Sequence, residues 1–190
     1  MASRSLAKRC WYDFLWVSCR AFALVVFRMR RAGVENIPST GGGLILAHHQ
    51  SHLDPILVGL SINRRLYYVA RQTLFRNPLV RWLIQAVDTI PIDREGSGLA
   101  GLKATLRHLK DGELVVLFPE GTRTPDGEVQ RLKPGFSALA RRAEVPIIPV
   151  AMDGAYDAWP RSARFPRPIR IALVIGEPLA PEEIARLSDD

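Results

Sequence analysis

The chain has 190 residues, 47% hydrophobic and 24% charged, enough to bury a sizeable core and incompatible with a disordered or low-complexity chain. Its two cysteines, Cys10 and Cys19, share one segment and give no disulfide framework, which fits reduced thiols in a cytoplasmic setting. The net charge of +7 is concentrated: Arg4, Lys8, Arg9, Arg20, Arg28, Arg30 and Arg31 stand against Asp13 alone, so residues 1–31 hold +6 of it.

The first predicted element covers residues 11–29. At 100° per residue, Trp11, Leu15, Phe22, Val25, Val26 and Met29 gather on one side, with Arg9, Asp13, Arg20, Arg28 and Arg31 opposite. This pattern predicts an amphipathic helix lying on a membrane surface; the alternative is a helix that merely packs on the domain. A nucleic-acid partner is not expected, because no binding motif accompanies the basic residues and such a reading leaves the apolar ones unused. A bilayer crossing needs about 20 predominantly apolar residues, and the run from 14 to 27 is shorter and contains Arg20. Ala21-Phe22-Ala23 resembles a signal-peptide cleavage site, but Arg20 interrupts the apolar run and Leu24-Val25-Val26-Phe27 continues it, so no cleavage is expected. The chain accordingly divides into a membrane-associating segment, 1–32, and one domain, 33–190.

From Gly33 onward short apolar strands alternate with amphipathic segments. Strands are predicted at 44–47, 66–70, 89–92, 114–118, 147–151 and 169–175, and helices at 56–62, 79–86, 98–110 and 135–143, with a further helix beginning at 181–187. This order predicts the α/β class, a sheet flanked by helices.

Polar clusters fall where these strands end, which is where open α/β sheets bind ligands. After the first strand comes His48-His49-Gln50-Ser51-His52-Leu53-Asp54. Ser51 and Asp54 form a capping-box-like helix start, so Asp54 lies in the first turn, able to fold back on His49, fix its tautomer and stabilise its protonated form. His49 is then a candidate base. Two other readings compete: packing or capping histidines, and a metal site built from His48 and His52 at i and i+4 with Asp54. A serine nucleophile at Ser51 lacks the GxSxG elbow.

Two further clusters follow. Asp88-Thr89-Ile90-Pro91-Ile92-Asp93-Arg94 ends in an arginine that could do no more than pair with its neighbour. Phe118-Pro119-Glu120-Gly121-Thr122-Arg123 offers a guanidinium fork suited to phosphate or carboxylate, a glycine for close backbone approach and a hydroxyl, though alone it could be an ordinary charged turn. Lys133 and Gly135 follow closely. The arginines at 64, 65, 71, 76 and 81, interleaved with Tyr67, Tyr68, Leu74, Phe75, Leu79 and Trp82, could line an acyl-chain groove or a membrane face, whereas no chemistry follows from the 159–168 loop.

Together these clusters resemble the glycerolipid acyltransferase family that includes 1-acyl-glycerol-3-phosphate acyltransferases. Its HxxxxD motif matches His49 to Asp54, its isoleucine-rich block ending in arginine matches Ile90 to Arg94, and its FPEGTR block is complete at Phe118 to Arg123. A fourth block, an apolar stretch closing on proline, resembles Val145-Pro146-Ile147-Ile148-Pro149-Val150. HxxxxD alone is common by chance; FPEGTR in order behind it makes the likeness specific. Two positions depart: His48 stands where the family usually has asparagine, and Asp88-Thr89 where many phosphatidate-forming members have a glycine-led segment.

The resemblance implies transfer of a fatty acyl group from acyl-CoA or acyl-carrier protein to a lysophospholipid hydroxyl, with 1-acyl-glycerol-3-phosphate the best acceptor and phosphatidate the product. It implies His49 as general base oriented by Asp54. Arg94 and Arg123 would hold the acceptor's phosphate, with Glu120, Gly121, Thr122 and Lys133 on the same wall and backbone N–H groups near Gly121 or Ile148 serving the oxyanion. No cofactor or metal is expected, since a thioester donor is already activated. The protein would sit peripherally on the cytoplasmic membrane face. Another lysolipid acceptor, a metal-dependent lipid hydrolase using His48, His52 and Asp54, and a non-catalytic lipid-binding module are the competing readings.

Overall fold

A computed structural model describes residues 6–76, 88–93, 98–133 and 135–186. In chain order its elements are α1 (Leu6–Val26), β1 (Arg30–Ala32), β2 (Gly43–Ala47), α2 (Asp54–Ser61), β3 (Leu66–Arg71), β4 (Asp88–Ile92), α3 (Leu99–Lys110), β5 (Leu114–Leu117), α4 (Phe136–Ala143), β6 (Ile147–Asp153), α5 (Ala155–Ala158), β7 (Ala172–Ile175) and α6 (Pro181–Arg186). Among the described residues seven strands form one sheet in the order β1-β7-β6-β2-β5-β3-β4, with only the β6–β7 pair antiparallel.

The central strands are apolar on both faces because both faces are covered. Leu44, Val115 and Ile147 point into one cluster with Leu109 of α3, Leu139, Ala140 and Ala143 of α4 and Ile184 of α6. Their neighbours Ile45, Val116 and Ile148 point into the other, with Leu57, Val58 and Leu60 of α2 and with Ala23 and Phe27. The period-two alternation of strand side chains thus divides one continuous apolar run between two layers. The α/β sheet flanked by helices expected from the sequence is the architecture observed.

This topology places the site. β2 lies between β5 and β6, parallel to both, with Leu46 opposite Leu117 and Ala47 opposite Val150. The chain therefore leaves β2 at His48 beside the chain leaving β5 at Phe118, at the carboxyl edge of the sheet. The second sequence departure lies elsewhere. Asp88 opens β4, parallel to β3, and so lies at the opposite edge of this mainly parallel sheet, where it pairs with Arg65.

Several details differ from the sequence expectation. β1 and the short α5 were not anticipated, and β7 starts at Ala172 rather than 169. The helix expected at 79–86 lies outside the described residues. The helical wheel also needs correction: Phe22 and Val25 are exposed, but Val26 packs against the core and Met29 is buried in it. Arg20, expected on the far side, lies over the Trp16 ring at 4.8 Å and donates to Asn63 Oδ1. The cause is twofold. α2 covers one strip of α1, where Trp16 Nε1 donates to the Gly59 carbonyl at 3.2 Å. The helix also stops at Val26, with Arg28 at φ 43, so extrapolating its periodicity to Met29 fails. What stays outside is itself apolar: Val17, Phe22, Leu24 and Val25 are all at least half exposed. No helix among the described residues is long and apolar enough to cross a membrane.

Candidate active site

His49 is fixed from four directions. Its Nδ1 lies 2.7 Å from Asp54 Oδ2, and the same oxygen accepts the backbone N–H groups of Gln50 and Ser51, each at 2.7 Å. Its ring stacks on Phe118, centroids 4.4 Å apart and 27° between planes. Its own N–H donates to Glu120 Oε1 at 3.2 Å, and its carbonyl accepts from the Thr124 N–H at 2.8 Å. The motif after β5 thus clamps the histidine after β2, ring and main chain alike.

The local chain explains the first of these contacts. α2 begins at Asp54 with Pro55 at its first positions, where the missing N–H costs nothing. Residues 50–54 turn so that the Asp54 carboxylate reaches back to two free N–H groups, while Ser51 Oγ accepts from the Leu53 N–H at 3.2 Å. The capping-box pattern predicted from Ser51 and Asp54 is therefore realised in a tighter turn, and regular helix starts only at Asp54. Asp54 is fully buried, whereas 21% of the His49 side chain is exposed. With Nδ1–H donated to the carboxylate, Nε2 is the nitrogen left to take a proton.

Glu120 is also buried, and desolvation raises its pKa against the opposing pull of the His49 N–H. Its contact is with the His49 main chain, where sequence reasoning had placed it on a substrate wall. Gly121, at φ 75, allows the sharp turn, and its N–H donates to the Phe118 carbonyl at 3.0 Å. That N–H closes the turn and is not directed outward for an oxyanion.

Arg123 lies half-buried beyond the turn and donates from Nη1 to Nδ1 of His52. Burial and then the charge of Arg161 hold its pKa below the ordinary value. Thr122 is exposed, and Lys133 is exposed with its N–H donating to the Pro119 carbonyl at 2.9 Å. Arg94 lies outside the described residues. The structure therefore brings His49, Asp54, Glu120 and Phe118 into direct contact and sets Arg123 alongside through His52. Phe118, Thr124 and His52 were not singled out for these contacts, which follow from the β2–β5 register rather than from local spacing.

The metal reading needs His48, His52 and Asp54 together. Asp54 Oδ2 is taken up by His49 and two N–H groups, and the His52 ring is engaged by Arg123. Among the described residues no group of three or more His, Cys, Asp or Glu side chains is arranged to hold a metal ion.

A mainly parallel α/β sheet thus carries a carboxylate-bound histidine at its carboxyl edge, with an arginine nearby. The acyltransferase family profile matches residues 28–153, and the chain belongs to that family. It is 33% identical over 174 residues to the 1-acyl-sn-glycerol-3-phosphate acyltransferase of Bacillus subtilis, covering 88% of this chain and 84% of that one. The Pseudomonas aeruginosa protein of the same name is 33% identical over 189 residues, 94% of this chain and 70% of that one. A chloroplastic 1-acyl-sn-glycerol-3-phosphate acyltransferase from Arabidopsis thaliana is 29% identical over 149 residues, 77% of this chain and 41% of that one. The crystal structure of the 1-acyl-sn-glycerophosphate acyltransferase PlsC of Thermotoga maritima matches with a TM-score of 0.74 at 27% identity, covering 96% of this chain and 74% of that one.

Proposed function

We propose that the protein transfers a fatty acyl group from acyl-CoA or acyl-carrier protein to the sn-2 hydroxyl of 1-acyl-sn-glycerol-3-phosphate, forming phosphatidate. The observation that carries this reading is the His49–Asp54 contact at 2.7 Å, which leaves Nε2 as the basic nitrogen beside the Arg123-bearing turn. Family membership and the names of the relatives support the acceptor.

In this mechanism His49 Nε2 removes the proton of the acceptor hydroxyl as its oxygen attacks the thioester carbonyl. The carbon–sulfur bond then breaks, and the imidazolium returns its proton to the departing thiolate. Asp54 stabilises the imidazolium between these steps. Arg123 takes the acceptor's phosphate, with Arg94 retained as its partner on motif grounds and Lys133 near the same turn. Glu120, Gly121 and Thr122 shape that turn, Glu120 by holding the His49 main chain. No step requires a cofactor or metal. Residues 1–32 supply the surface that meets a lipid bilayer at its cytoplasmic face, and 33–190 the acyltransferase domain; the exposed Val17, Phe22, Leu24 and Val25 of α1 support this.

An acceptor panel with one labelled acyl donor, read by product mass, tests the assignment. 1-Acyl-glycerol-3-phosphate should be the preferred acceptor and phosphatidate the product. His49→Ala should lower the rate by about 10²- to 10⁴-fold. A folded His49→Ala protein that keeps most of its activity would sink the mechanism. Activity lost on chelation and restored by zinc would favour the hydrolase.

A further inference from the structure

We propose that His52 and Arg161 complete the acceptor's phosphate site, His52 as the positioning residue that holds Arg123 and Arg161 as a second cation beside it. This rests on the function proposed above and deepens it. Neither the HxxxxD nor the FPEGTR pattern specifies residue 52 or the loop containing Arg161.

The two residues are joined to the site by a set of contacts that spans the chain. Arg123 Nη1 donates to His52 Nδ1 across 71 positions. The His52 N–H donates to the Trp159 carbonyl at 3.2 Å, and Ser51 Oγ donates to that same carbonyl at 2.8 Å. The His52 ring lies 5.0 Å from the Trp159 ring. The loop is also folded on itself, with Trp159 Nε1 donating to the Ala163 carbonyl at 3.1 Å and the Arg167 N–H to the Ala158 carbonyl at 2.7 Å. Arg161 lies on this folded loop two residues beyond Trp159, whose carbonyl takes the His52 N–H, and its positive charge acts on Arg123.

The chemistry of the pair fixes the state of His52. A guanidinium has donors only, so the ring nitrogen that meets it must offer a lone pair. His52 is therefore neutral and protonated on Nε2, the opposite tautomer to His49. Burial and the charge of Arg123 both hold its pKa below the ordinary value, which agrees with that state.

What remains unsatisfied points to the ligand. Among the described residues no carboxylate forms an ion pair with Arg123 or Arg161. The two nearby acids are committed, Asp54 to the His49 ring and Glu120 to the His49 N–H. Arg164 of the same loop is turned onto Phe165 at 5.3 Å. Two guanidinium groups carried on adjoining segments, neither paired with a carboxylate, suit a dianion, and a phosphate monoester is the matching group. The acceptor carries one. A phosphate on the acyl donor is the other source of the same chemistry.

Steady-state kinetics of the full chain distinguish these outcomes, with each variant checked for folding by circular dichroism. Arg123→Ala should raise the acceptor KM by about tenfold or more; Arg161→Ala and His52→Leu should each raise it by about five- to tenfold, consistent with losing one charge-assisted contact. The donor KM and kcat should change far less. His52→Asn, which can offer a side-chain carbonyl near the position of Nδ1, should recover most of the loss. The Arg161→Ala effect should vanish with 1-acylglycerol, which lacks the phosphate. If Arg123→Ala raises the acceptor KM but Arg161→Ala does not, or if His52→Asn is as impaired as His52→Leu, the inference fails while the function stands. A raised donor KM in Arg161→Ala would assign the phosphate to the donor and overturn the inference. An unchanged acceptor KM in Arg123→Ala would remove the phosphate reading itself, and this inference with it.

Discussion

One carboxylate oxygen, Oδ2 of Asp54, accepts three hydrogen bonds at 2.7 Å, while Oδ1 of the same group is buried with no hydrogen-bond partner among the described residues. Asp54→Asn isolates what the charge does. The amide oxygen can take the Oδ2 position and keep all three donors, but the NH2 group is then buried at Oδ1 without a partner, and the imidazolium loses its counter-charge. A rate loss of about 10²- to 10⁴-fold with a stability loss of about 1–3 kcal/mol is expected, the first from turnover and the second from urea denaturation. Asp54→Asn with near-wild-type turnover would show that the carboxylate acts only as a turn former.

His52 allows a second test. Its pKa is lowered chiefly by burial, then by Arg123, against smaller upward pulls from the Arg161 backbone and Asp54. As pH falls below the ordinary imidazole range of about 6.5, the unfolded chain takes up a proton at residue 52 before the folded chain does. The unfolded state then binds more protons, so stability must fall as pH falls through this window. Urea denaturation from pH 7.5 to 5 should show a steeper loss for wild type than for His52→Asn. Equal slopes would mean that residue 52 does not titrate differently on folding. The two histidines also show what a sequence can reveal. His49 and Asp54 are five positions apart, so their meeting is a local matter of strand, turn and helix start. His52, Arg123 and the Trp159 loop meet only because β2, β5 and β6 share an edge, and no spacing along the chain encodes that.

The same distinction holds among the elements. β2 and β5 were legible because burial on both faces demands unbroken apolar runs, and the start of β6 for the same reason at Ile147 and Ile148. β1 was not: its residues are Arg30, Arg31 and Ala32, and it joins the sheet through main-chain pairing to β7. The strand β7 was legible but its direction was not, since pairing antiparallel to β6 is a property of the connection. That connection runs through Gly154, at φ 76, where an added Cβ would meet the Arg170 carbonyl oxygen at 2.2 Å. Gly154→Ala meets both backbone strain and a clash with main chain that cannot rotate away. A loss on the order of 3 kcal/mol is expected, measured by urea denaturation. Because α5 leads into the Trp159 loop, the acceptor KM should rise in the same variant before global unfolding. A stability change within about 0.5 kcal/mol, the range of an ordinary surface substitution, would show that the turn accommodates a side chain.

At the scale of the whole molecule, charge and apolar exposure coincide on the N-terminal segment, but not as the helical wheel drew them. Arg20 is folded onto Trp16 and Asn63, and Arg31 Nη1 donates to the Ser61 carbonyl at 2.7 Å, so part of the basic complement ties the N-terminal segment to the C-terminal end of α2 and the residues just after it. The outward strip is carried by Val17, Phe22, Leu24 and Val25, the last 77% exposed. Deleting residues 1–31 is therefore a poor test of membrane binding. It would remove Phe27 and Met29 from the core and most of β1 from the sheet, and truncating a buried phenylalanine alone costs about 3–5 kcal/mol. Substitution of the outward strip leaves the packed one in place. Leu24→Asp with Val25→Asp puts two carboxylates where apolar side chains would enter the bilayer interface, next to basic residues each worth roughly 1 kcal/mol near an anionic surface. Wild-type protein should co-sediment with vesicles containing anionic lipid, less so as salt increases. The double variant should stay folded, stay largely in the supernatant, and lose activity on vesicle-borne acceptor more than on acceptor dispersed in detergent. If it sediments like wild type, the membrane-facing surface lies elsewhere on the molecule and the exposed strip of α1 has another occupant.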